Sequence, residues 1–161
     1  MNVASLIFAA TLLAALGCGL IAGVFFAFSA FVMKALARLP APHGIAAMQS
    51  INVVVLNPVF LGAFLGTAAL SVGLAISAFA TGLDRAALCR ILGSALYLVG
   101  TVGVTRACNI PRNDALAAVD PASAEGARVW ATYLREWTNW NHVRTVAGLA
   151  AAAAFAIARC A

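Results

Sequence analysis

VASLIFAATLLAALGCGLIAGVFFAFSAFVM, residues 3–33, contains no Asp, Glu, Lys, Arg or His. A hydrocarbon core about 30 Å thick takes roughly 20 helical residues, so this run crosses a bilayer and must tilt or protrude with the remainder. Ala15-Leu16-Gly17-Cys18 loosely resembles a lipoprotein cleavage site. No basic residue precedes the run, however, and the run outlasts the apolar region of any signal peptide, so it reads as a retained transmembrane helix. Ala15, Gly19, Gly23 and Ala27 recur every four residues and make a seam of small side chains that another helix can approach closely, within the chain or in a homo-oligomer. Phe25, Phe26, Phe28 and Phe31 crowd the end before Lys34, where they either meet lipid or floor an aromatic pocket.

The remainder of the chain has the same character. Of its 161 residues 64% are hydrophobic and 9% charged, with a mean hydropathy of +0.99, against roughly 25% charged in soluble domains. The net charge is +5, but the ten basic residues are scattered with no run dense enough to grip nucleic acid. Cysteines at 18, 89, 108 and 160 show no C-x-x-C or metal-ligand spacing and read as small apolar filler. Further apolar runs at about 58–80, 86–108 and 141–159 bring the spans to four. The expected fold is all-α, one integral membrane domain over residues 1–161. Its architecture is a four-helix transmembrane bundle with an interfacial amphipathic helix before the last span.

Between the spans, Pro40 and Pro42 mark a loop, after which Gln49 and Asn52 face one way and need partners. Asn57-Pro58 either kinks a helix or restarts one with Asn57 as its cap. In the third span Ser94, Tyr97, Thr101, Thr105 and then Asn109 make a polar face that suits a wet or ligand-filled interior; such hydroxyls can also bond their own backbone. Arg90 reads as snorkelling outward. The stretch Asn109-Ile110-Pro111-Arg112-Asn113-Asp114 reads as a break, with Asn113 or Asp114 capping a short helix. Asp120-Pro121 then starts an amphipathic helix from about Ala122. Four spans put both termini on one side. Lys34, Arg38, Arg106, Arg112, Arg128, Arg135 and Arg144 fall on the other, against Arg85, Arg90 and Arg159 with the termini. The positive-inside rule therefore places the richer side in the cytoplasm, and the expected location is a bacterial inner membrane.

The richest chemistry lies in W-T-N-W-N-H-V-R, residues 137–144. At about 100° per residue Trp137, Trp140, Asn141 and Arg144 share one helical face, which Trp130 and Tyr133 extend backwards and Gly148, Ala151 and Phe155 forwards. His142 falls about 140° away. An aromatic belt with a snorkelling arginine would explain the tryptophans but not both asparagines. Lys34, His43, Gln49, Asn52, Asn57, Thr105, Asn109 and Asn113 gather at the same end of the bundle. Such a pocket, rich in aromatic faces and amides and poor in carboxylates, suits a flat apolar molecule carrying a few oxygens. His43 and His142 have no metal-site spacing, and haem ligation by that pair has only their presence in its favour.

Four motifs carry a resemblance: G-x-x-x-G-V-F-F-A-F-S at residues 19–29, M-Q-x-I-N at 48–52, the set Thr105, Asn109, Pro111 and Asn113, and W-x-x-W-N-x-x-R at 137–144. Together they resemble the anthrone oxygenase-like family of small four-helix membrane proteins. The resemblance implies oxidation of a hydrophobic aromatic, anthrone to anthraquinone, with molecular oxygen and no metal or flavin cofactor. It implies that Trp137 and Trp140 stack on the ring, with Phe28, Gln49, Asn52 and Thr105 lining the substrate site. Arg144, Asn109, Asn113 and Asn141 would stabilise a negative oxygen, and His142, or else His43 or Asp114, would serve as base. The competing expectation is a non-catalytic membrane protein that binds a lipid, a quinone or a partner helix.

Overall fold

The computed structural model describes residues 2–160, which are helical throughout apart from short turns and include no strand. Five helices follow one another: α1 (Val3–Leu36), α2 (Ala41–Val54), α3 (Pro58–Thr81), α4 (Arg85–Ala117) and α5 (Ala124–Ala158). All but α2 are long and apolar enough to cross a membrane. Each long helix starts at a side-chain cap, which satisfies backbone donors left open in the first turn. Asn2 receives Ser5 N at 2.8 Å, Asn57 receives Val59 N and Phe60 N at 3.0 Å, and Asp84 receives Ala87 N at 2.7 Å. Asn57-Pro58 is thus a restart, with Pro58 in the first turn where its missing donor costs nothing. The α3–α4 turn needs Gly82, whose φ of 96° suits no other residue well.

Helix α5 packs along α1 and α4, and α3 lies against both of these on the far side, which closes a ring of four helices. Large apolar side chains such as Leu16, Val59, Phe79, Val99 and Val146 point outward. The interior is filled from Cys18, Ile21, Phe64, Tyr97 and Phe155. An exterior this apolar is the partition a lipid solvent selects. A second core at the other end joins α2 to the bundle through Met33, Ile45, Met48, Leu116, Trp130, Tyr133 and Trp137.

Four expectations from sequence are corrected here. Within the chain the seam of close approach is not Gly19 and Gly23, beside which a Cβ would meet nothing within 4 Å. It falls on neighbouring faces, where a Cβ on Gly100 would lie 2.5 Å from that of Ala147 and one on Gly148 would lie 3.0 Å from that of Ala22. Residues 109–114 are not a break. Helix α4 runs through them by way of π-helical turns at Leu96–Gly103 and Thr105–Asn109. A widened turn absorbs the donor that Pro111 lacks and the bulk of its ring, so Asn113 and Asp114 are interior helical positions and not caps. The cap of α5 is Ser123, whose Oγ receives Gly126 N at 2.9 Å, and Asp120-Pro121 precedes it in a turn. Arg90 does not snorkel outward; it is 7% exposed.

The amphipathic segment before the last span and that span are one helix of 35 residues. At 1.5 Å per residue it is about 52 Å long, well beyond a hydrocarbon core. Its first half therefore projects from the membrane and stays in contact with α2 and the end of α4.

Candidate functional site

Asn141 and Arg144 sit one turn apart on the buried side of α5, 0% and 4% exposed. Asn141 is held from below: its Nδ2 donates to Phe25 O and to Ser29 Oγ, each at 2.7 Å. Its Oδ1 is thereby aimed along the helix and receives Arg144 Nη2 at 2.7 Å. Thr105 on α4 accepts Arg144 Nη1 at 3.3 Å while its own hydroxyl donates to Thr101 O at 2.7 Å. Thr145 donates to Asn141 O at 2.9 Å and lies 3.4 Å from Ser29. The guanidinium carbon stands 4.1 Å from the centre of the Phe25 ring and 5.0 Å from that of Trp137.

Among the described residues no carboxylate pairs with this charge. The ion pairs among the described residues join Arg112 to Glu136, Arg128 to Glu125 and Arg135 to Glu136. Removing a cation from water costs several kcal/mol even after relaxation, and the two ring contacts return about 0.5–2 kcal/mol each. Several polar atoms in the same region have no protein partner: Arg144 Nε, Thr101 Oγ1, Asn109 Oδ1 and Trp137 Nε1. Buried groups of this kind are normally satisfied. An under-compensated cation among unused donors and acceptors can take up an anionic or strongly polar oxygen.

Above Arg144 the aromatic side chains of α5 form a column. Trp130, Tyr133 and Trp137 stack with centroids 5.6 and 5.7 Å apart and planes 18° from parallel, and Phe28 leans on Trp137 at 5.8 Å. Tyr133 is fixed by its hydroxyl, which donates to Asn113 Oδ1 at 2.9 Å and receives Asn52 Nδ2 at 3.5 Å. Beside Tyr133 a groove of about 400 Å³ opens between Pro111–Ala115 of α4 and the first half of α5, within the size range of small-molecule sites. The Arg112–Glu136 ion pair, 2.9 Å, lies on its wall. Arg144 is not among the residues lining this groove.

Of the residues singled out from sequence, Arg144, Asn141, Thr105, Trp137, Asn109 and Phe28 come together. Asn109 Nδ2 donates to Trp137 O at 3.2 Å. Asn113 and Asn52 act one step away, through Tyr133. Gln49 lies elsewhere: its amide donates to Leu116 O at 2.8 Å and Val119 O at 3.1 Å and ties the α4–α5 connection to α2. Trp140 is 37% exposed, because at the edge of the helical face it clears the neighbouring helices. His142 lies on the opposite side of α5 and is exposed, as are His43 and Asp114, so none of the three bases expected from sequence faces Arg144. Among the described residues no three His, Cys, Asp or Glu side chains gather as metal ligands would.

Sequence reasoning passed over Ser29 and Thr145 as site residues, and it had Phe25 only in a possible pocket floor and Thr101 only in the polar face of the third span. Ser29 carried a signal, as the one polar residue between Gly23 and Met33. The π-helical turns could not be read, yet all three, Phe28–Val32, Leu96–Gly103 and Thr105–Asn109, hold residues of this site or flank it. Such turns are frequently found at functional sites.

Comparison with known proteins agrees with the resemblance seen in the motifs. The family model for anthrone oxygenase matches residues 57–154, more than half of the chain, and takes in α3, α4, the column and Arg144. Residues 19–29 and 48–52 lie outside the match. No curated protein and no solved structure matches. With the match running through the third and fourth spans and the motifs at 105–113 and 137–144, the chain belongs to the anthrone oxygenase family.

Proposed function

We propose that the protein is a membrane oxygenase acting on a hydrophobic aromatic, anthrone-like or quinol-like, whose ionisable oxygen is held at Arg144. The observation that carries this reading is the buried guanidinium without a carboxylate, beside Trp137 and unpartnered polar atoms. A fixed cation in a dry site lowers the free energy of a phenolate or enolate far more than water does. For a substrate with a CH₂ between two rings, loss of one carbon-bound proton gives such an anion. The anion passes one electron to dioxygen, and the resulting carbon radical and superoxide combine into a carbon–oxygen bond. Protonation gives a hydroperoxide. Loss of water from it, with the second carbon-bound hydrogen, leaves the ketone, so CH₂ and O₂ become C=O and H₂O.

In this scheme Arg144 favours the anion and Asn141 and Thr105 orient Arg144. Trp137 and Phe28 pack on the ring, and the unpartnered Asn109 Oδ1 accepts from a substrate hydroxyl. The proton leaves to water because the bound cation makes the carbon acid stronger; no flavin or metal is invoked. The substrate enters from the bilayer surface along the groove beside Tyr133. In this reading the site opens at the cytoplasmic face of a bacterial inner membrane, which the arginines gathered at this end favour.

A second reading has one observation in its favour: both hydrogens of the Asn141 amide are spent on joining α5 to α1. Polar side chains used as interhelical glue need no chemistry, and the site would then hold a quinone or lipid without turning it over. Oxygen uptake by the purified protein with anthrone and with naphthoquinols, with and without chelator, separates the two. Uptake that survives chelator supports the oxygenase. Saturable binding without uptake supports the second reading, and neither uptake nor binding defeats both.

A further inference from the structure

A serine or threonine hydroxyl inside a helix can donate to the carbonyl four residues back, as Thr11, Ser71, Thr105 and Thr145 do here. Ser29 stands differently. The carbonyl four residues before it, Phe25 O, receives Asn141 Nδ2 at 2.7 Å, and Ser29 Oγ receives the same amide nitrogen at 2.7 Å. Ser29 is 8% exposed and lies in the π-helical turn Phe28–Val32 of α1. Its other polar contact is Thr145 Oγ1 at 3.4 Å. Thr145 has one hydroxyl hydrogen, and that hydrogen is given to Asn141 O at 2.9 Å, so Ser29 is the donor in the longer contact. The network then runs in one sense. Ser29 donates to Thr145, Thr145 to the Asn141 carbonyl, the Asn141 amide to Ser29 and Phe25 O, and Arg144 to Asn141 Oδ1.

We propose that Ser29 is a positioning residue for Arg144, acting through Asn141, and that it sets the preference of the site for an anion; this rests on the reading of Arg144 as the partner of an ionised oxygen. The torsion that turns an asparagine amide is broad, so a single hydrogen bond leaves the amide free to pivot. Two acceptors on α1 fix its plane. With the plane fixed, Oδ1 meets Arg144 Nη2 at 2.7 Å and holds the guanidinium, 4.1 Å over the Phe25 ring, in the orientation that also reaches Thr105. Without Ser29 Oγ the amide keeps Phe25 O and turns about that one bond, and Oδ1 leaves the line of Nη2. The cation then keeps its charge and loses its direction. A neutral ring binds such a site as before, but an oxyanion binds less well, because matched hydrogen bonds from one planar fork are what it gains over a neutral ligand.

The test reads Arg144 itself, by NMR of isotope-labelled arginine in the full chain in detergent micelles without ligand. In the wild type its two Nη atoms should give separate signals, because each is held by a different partner, and Arg144→Lys identifies those signals by their loss. Ser29→Ala should merge them, and Ser29→Thr, which keeps Oγ, should hold them apart. Ala22→Gly is the control: Ala22 faces Gly148 across the α1–α5 seam, so this change weakens α1 and should lower the melting temperature while leaving both signals. With ligand, Ser29→Ala should bind a hydroxynaphthoquinone anion about fivefold more weakly, the worth of one hydrogen bond, and its methyl ether as well as the wild type does. Separate signals in Ser29→Ala, merged signals in Ala22→Gly, or an equal loss for anion and ether overturn the proposal, and Ser29 is then interhelical glue. The signals are read without ligand, so they decide the role of Ser29 even where the wild type takes up no oxygen and binds no quinone, a result that defeats the reading at Arg144 alone.

Discussion

Replacing Arg144 by lysine keeps the charge and removes the fork. In the structure Nη2 and Nη1 of one planar group reach Asn141 and Thr105 together, at 2.7 and 3.3 Å, while the guanidinium lies over Phe25. A lysine ammonium can meet one of these oxygens but not both, and it stacks poorly on a ring. Losing one charge-assisted hydrogen bond is worth about 1.5–3 kcal/mol, which is a ten- to hundredfold loss of affinity at about 1.4 kcal/mol per decade. Leaving Asn141 Oδ1 unsatisfied costs a further 1–3 kcal/mol or so of stability, less than the roughly 5–15 kcal/mol that holds a protein folded. Arg144→Lys should therefore insert and fold but bind a hydroxynaphthoquinone at least about tenfold more weakly, with oxygen uptake on anthrone falling in parallel. Binding is read by quenching of tryptophan fluorescence and folding by thermal melting in detergent. Arg38→Lys is the control, since Arg38 is exposed. Equal affinity and uptake in the two variants would refute the reasoning, because a charge that lysine can replace has no need of the geometry around it.

Trp137→Leu should abolish quenching by that ligand and Trp140→Leu should leave it almost intact, as titration of the two variants would show; the reverse order would place the ring on the outer face of α5. Asn141→Asp sets a carboxylate against Arg144 and removes the amide donor to Phe25 O, so it should compete with any anionic ligand and also loosen α5 from α1, and weaker binding together with a lower melting temperature is the expected result. Gly100→Val pushes a side chain into Ala147, whose Cβ would lie 2.5 Å from the new one, and should lower stability by about 1–3 kcal/mol in a denaturant titration. Gly19→Val, with nothing within 4 Å, should not.

The spans were legible because a bilayer imposes a simple demand, length without charge, which residues 3–33 and the alanine-rich end of α5 meet openly. Asn57-Pro58 was legible for a similar reason, since cap chemistry is local. The stretch 109–114 was not. Asn and Pro are turn formers in most settings, and nothing in their identity says that a widened helical turn will absorb them. The cluster at Arg144 was half visible: Trp137, Asn141 and Arg144 announced one face, but their partners include Phe25 O and, for Asn109, Trp137 O. Backbone oxygens have no sequence signature. His142 was a candidate for its ring chemistry alone, and the helical angle that already set it apart decided its place.

Helix α5 contains no proline and no widened turn from Ala124 to Ala158, whereas α4 is π-helical over most of 96–109. The two sides of the site therefore differ in stiffness. The wall that carries the column, Asn141 and Arg144 moves as one rod, and any strain from admitting a ring is taken up by the wall that carries Thr101, Thr105 and Asn109. Loosely bonded turns yield first, so amide hydrogen exchange should run faster across 96–109 than across 130–147, and a bound ligand should slow the first stretch while scarcely touching the second. Substrates of different width would then be told apart by how far α4 gives way, with the position of the charge held constant.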